Sequence, residues 1–140
     1  MSKREPLAAL ILCAWAGGLW TICGVVVPGL FWLIADHKLA GHVAAQFFDA
    51  QTVLGTVFGL MYWALKYKQL NKVSSRWLWT AIAAPLVFVA VMRPLMATAL
   101  AAGDMARFGQ LHGVAGSLFL LACIAVAILA WRTALTRRAG

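Results

Sequence analysis

Four stretches of this chain, near residues 7–35, 43–68, 77–101 and 108–132, stay apolar for about as long as a helix needs to cross a bilayer. At about 1.5 Å per residue each reaches across roughly 30 Å of hydrocarbon. The runs are unbroken, as in Trp77 to Met92 and Leu111 to Trp131. A membrane barrel instead needs strands of about ten residues with alternating apolar and polar positions. A cleaved signal segment has an apolar core of roughly 7 to 15 residues, shorter than Leu7 to Ala35. The pattern therefore predicts an all-α, membrane-embedded four-helix bundle forming a single transmembrane domain.

Composition agrees. The 140 residues are 64% hydrophobic, with a mean hydropathy of +0.86. Twelve Lys and Arg and four Asp and Glu are too few to cover a soluble domain of this size. The net charge of +8 raises nucleic acid as a partner, but no basic stripe interleaved with exposed aromatics is present, so the lipid bilayer is the expected partner and nucleic acid is not. Cys13, Cys23 and Cys123 lie inside apolar segments without metal-knuckle or redox spacing, and read as ordinary buried thiols.

Charge placement predicts orientation. Nine of the twelve basic residues flank the start of the first segment, the second connection and the end of the chain. The other two connections and the adjoining turns hold Asp36, Lys38, Asp49, Asp104 and Arg107. By the excess of Lys and Arg in cytoplasmic loops, both termini are expected in the cytoplasm, with the membrane a bacterial inner membrane. Trp63, Trp77, Trp79 and Trp131 fall where interfacial anchors would lie.

Pro28-Gly29 and Arg93-Pro94 predict a kink or loosened turn in the first and third segments. Gly17, Gly18, Gly55, Gly59, Gly109 and Gly113, with Gly24 and Gly116, mark places where helices can approach closely, within one chain or in a homo-oligomer.

Several stretches carry a family resemblance. Trp15 to Gly18, VVVPGLFWLI over 25–34, Ala40 to Val43, Phe47-Phe48, and RFGQLHGVAG over 107–116 together resemble the TMEM205-like proteins, the DUF4149 group of four-helix membrane proteins. That group usually has Ser at the position of Ala115, and often Asn deeper in the last helix, where this chain has Leu and Phe. A more distant similarity, to the membrane domain of copper-resistance proteins, rests on Trp15, Gly17 and Gly18. The resemblance implies the four-helix fold and no established chemistry.

No nucleotide loop, zinc-protease helix, serine elbow or Cys-x-x-Cys is present, so an enzyme is the less favoured reading. His37, His42 and His112, and all acidic residues except Glu5, fall at the predicted outer side, with Met92, Met96, Met105 and Gln110 nearby. His37 reads as part of a solvated turn. His42, Gln46 and Asp49 share one helix face, and His112 lies among glycines near the start of the last segment. Structural hydrogen bonding is the plain reading of His42 and His112; metal ligation by the pair, expected to approach each other, is the sharper one. No cofactor is securely implied. Three functions stay open: a binding or transport component for a cation or small solute, a structural or accessory membrane protein, or a haem-binding or redox protein.

Helix rise supplies one specific expectation. Asp49 is seventeen residues from Lys66, and Arg93 seventeen from Arg76. Both charges then stand roughly 25 Å above the inner markers, at the outer edge of the hydrocarbon. A lone charge there is costly, so an Asp49–Arg93 ion pair is expected, joined by Gln46 or His112.

Overall fold

The computed structural model describes residues 4–138, and they are helical in four rods: α1 (Arg4–Leu33), α2 (His37–Lys66), α3 (Lys72–Ala101) and α4 (Met105–Arg138). Each rod packs against the next in the chain, and α4 closes back on α1. Short connections force neighbours to run antiparallel, so both described ends lie at one end of the bundle. There Lys66 of α2 holds Glu5 of α1 at 2.6 Å, and Arg132 of α4 donates to Ser74 of α3 at 3.2 Å. We term this the basic end and the opposite one the far end.

By length and composition α1, α3 and α4 are apolar enough to cross a membrane. α2 has a comparable length, 30 residues, but carries Gln46, Asp49 and Gln51. It is held between α1 and α3.

The helices begin earlier than the apolar runs suggest. Asp36 caps α2 by accepting from the amides of Lys38 and Leu39, so that helix starts at His37 rather than near 43. Asn71 caps α3 through the Ser74 amide, and Asp104 accepts from the Arg107 amide at the start of α4. α4 also continues to Arg138, beyond 132. Hydropathy marks where lipid begins, whereas hydrogen bonding decides where a helix stops. α3 ends in a Schellman turn: Gly103 adopts φ +71°, its amide donates to Leu100, and the Asp104 amide donates to Ala99.

The expected kinks take a specific form. α1 widens to a π-helical turn over Ile22–Val26, two residues before Pro28, and α3 does so over Phe88–Met92, two residues before Pro94. A proline ring clashes with the carbonyl four residues earlier, and the wider turn relieves that clash while the rod continues. Leu95 to Ala101 thus prolong α3 beyond the widened turn. Pro85, which the apolar run over Trp77–Met92 hides, also sits inside α3, buried.

The core runs the length of the bundle. Trp15, Leu12 and Leu19 of α1, Tyr62 of α2, Leu78 of α3 and Val126 and Leu129 of α4 are almost wholly enclosed. Nearer the far end Phe48, Phe88 and Phe119, from α2, α3 and α4, meet with ring centroids 4.4 to 6.0 Å apart. Large apolar side chains outside this core, such as Trp32 and Leu33, are exposed, as on a surface solvated by lipid.

Candidate functional site

Asp49 and Arg93 are brought together from α2 and α3: Arg93 Nη1 donates to Asp49 Oδ2. The matching rise along two antiparallel rods puts them level, and the π-helical turn before Arg93 adjusts the phase of α3 just below. Their side chains remain 39% and 28% exposed for Arg93 and Asp49, so the pair is half-buried and its guanidinium keeps accessible donors. The contact is one-pronged. Asp49 Oδ1 is buried without a hydrogen-bond partner among the described residues.

Beside the pair an apolar groove of about 330 Å³ runs between α2 and α3 toward the basic end. It is lined by Asp49 at its head, then Thr52, Val53, Thr56 and Val57 of α2, and Leu86 and Val89 of α3. The two threonines add little polarity, because each hydroxyl donates back to its own helix, to Phe48 and Thr52 carbonyls at 2.8 Å. A half-buried charge pair thus stands over an apolar trough.

The remaining sequence candidates behave differently. His42 and Gln46 are exposed, and neither Gln46 nor His112 hydrogen-bonds to the ion pair among the described residues. His112 is also exposed and stacks on Phe108, with centroids 6.0 Å apart and planes 18° from parallel, while His37 meets the edge of Phe31. His42 and His112 make no direct ring contact, and no group of three or more His, Cys, Asp or Glu able to hold a metal occurs among the described residues. Asp36 and Asp104 serve as helix caps.

The glycines divide. A Cβ on Gly55 would lie 2.7 Å from Trp15 Nε1, and one on Gly59 would lie 2.6 Å from Ile82 Cγ1, so both admit close packing. Gly18 leaves room for the Gln51 amide, whose Oε1 would lie 3.0 Å from a Cβ there. Gly17, Gly29, Gly109 and Gly113 face open space, and Pro28 and Pro94 are exposed.

Two features escape the sequence reading. Gln51 is buried between α1 and α2, its Nε2 unpaired among the described residues. The cysteines are not equivalent: Cys13 is exposed, whereas Cys23 and Cys123 face each other across α1 and α4. Compared with models of known protein families, with characterised proteins and with solved structures, the chain matches none.

Proposed function

We propose that the protein is a binding component of the membrane that takes an amphiphilic solute at the α2–α3 groove. The solute's apolar tail lies along Val53, Val57, Leu86 and Val89, and its anionic head meets the free donors of Arg93. The observation that carries this reading is the half-exposed Asp49–Arg93 pair at the head of an apolar trough. Such a combination suits a molecule that is charged at one end and apolar at the other. A bare cation is less well served, because Arg93 already neutralises Asp49. Passage through a single bundle is disfavoured too, since Trp15, Phe48, Phe88 and Phe119 fill its interior.

On this reading the basic end faces the cytoplasm of a bacterium and the groove opens to the outer leaflet, as the placement of Lys and Arg supports. Kinship with the TMEM205-like group belongs to the same proposal and rests on the stretches around Trp15, Pro28 and His112.

Titration of the delipidated protein in micelles with dodecyl phosphate tests it. Val53→Trp fills the groove from an exposed position without touching the core, and Arg93→Gln removes the charged donors. Each is expected to weaken binding about tenfold or more. Unchanged affinity in both variants overturns the reading.

A structural role is favoured by a separate observation: polar ties join the helices at both ends, Glu5–Lys66 and Ser74–Arg132 at one, Asp49–Arg93 toward the other. In that case dodecyl phosphate does not bind the unaltered protein at all.

A further inference from the structure

Cys23 and Cys123 are one hundred residues apart in sequence, yet their sulfurs lie 3.9 Å apart across the seam where α1 meets α4. Cys123 is almost wholly enclosed, and Cys23 is partly open at the bundle surface. Cys23 also lies within the π-helical turn Ile22–Val26, where the helix is wider than usual and its hydrogen-bond ladder is shifted. A disulfide needs sulfurs about 2 Å apart. Closing the remaining distance takes rotation about the Cα–Cβ bonds.

We infer that Cys23 and Cys123 form an oxidisable thiol pair, in which a hydroperoxide converts Cys23 and Cys123 closes an intramolecular disulfide. In the first step the Cys23 sulfur attacks the terminal oxygen of the hydroperoxide ROOH. The O–O bond breaks, ROH leaves, and Cys23 becomes a sulfenic acid. In the second step the Cys123 sulfur attacks that of Cys23, forming the S–S bond and releasing water. Two thiols are oxidised to one disulfide, and ROOH is reduced to ROH and water. The roles follow from exposure: the accessible sulfur meets the oxidant and the enclosed neighbour resolves it. The product fastens the first helix to the last on the side of the bundle opposite the α2–α3 groove, so it is independent of ligand binding there.

The test is to treat the full-length protein in nanodiscs with cumene hydroperoxide, alkylate it under denaturing conditions, and map its peptides. A Cys23–Cys123 linked peptide, lighter by two hydrogens and lost on reduction, is expected. In Cys123→Ser the link is absent and Cys23 is trapped by dimedone as its sulfenic acid. Recovery of Cys23 and Cys123 as fully alkylated thiols in the unaltered protein, or linkage through Cys13 between chains in place of the internal bond, overturns the inference.

Discussion

Replacing Trp15 by alanine is expected to cost the bundle about 3 kcal/mol, toward the lower end of what a buried tryptophan costs in a soluble core. The reason for the lower end is physical. Between lipid and a lipid-like interior the transfer term largely vanishes, and lost packing contact remains. Trp15 is 1% exposed and its ring covers two positions of α2 that have no side chain, Gly55 and Gly59. The converse change is coupled to it. Gly55→Ala places a methyl group 2.7 Å from Trp15 Nε1, which a rigid indole cannot yield cheaply. Overpacking of that kind costs about 1–3 kcal/mol, against a gain of about 1 kcal/mol in helix propensity. In the double variant, the added methyl occupies space that the indole has left, so the two losses do not add. Reversible unfolding in mixed micelles measures all three, with Gly113→Ala as a control that meets nothing within 4 Å. Should Trp15→Ala prove as mild as Trp131→Ala, which alters a residue 68% exposed, the packing assigned to Trp15 is wrong.

The second large effect belongs to the ion pair. Arg93→Met is expected to destabilise the bundle by about 1–3 kcal/mol, between the worth of an exposed pair and the penalty of stranding a fully buried charge. Asp49 is the group stranded. Its Oδ1 already has no partner among the described residues, and without Arg93 its Oδ2 loses the guanidinium. Replacing both residues, Asp49→Leu with Arg93→Met, should recover part of the loss, since no unpaired charge is left in an apolar seam. The same unfolding measurement decides it. A double variant weaker than the two single changes combined would mean that the pair does more than neutralise itself. Binding of dodecyl phosphate is expected to fall in the Arg93 variants whatever the stability does, which separates the two roles of that side chain.

Much of this site was legible in the chain before any packing was known. Asp49 and Arg93 stand at equal distances from basic residues at one end of the bundle, and a short connection makes their helices antiparallel neighbours. Rise per residue then dictates that they are level, and the cost of a lone charge at that depth dictates that they pair. The proline positions likewise announced disturbed turns, though whether each would be a bend or a widened helix was not written in them.

Height along a helix is a property of sequence spacing, but the direction a residue faces around the helix is not readable when every face is apolar. In a soluble protein a polar face supplies that phase; in α1 and α4, greasy all round, nothing does. Hence the sequence determined four helices, their order, their polar ends and the level of the ion pair. Only tertiary packing decided that Gly55 and Gly59 receive Trp15 and Ile82 while Gly109 and Gly113 meet open space. It also decided that Gln51 turns inward against Gly18, that His112 stacks on Phe108, and that two cysteines a hundred residues apart come to face one another. Each outcome is a rotation of one rod about its own axis, selected by the shapes of its neighbours.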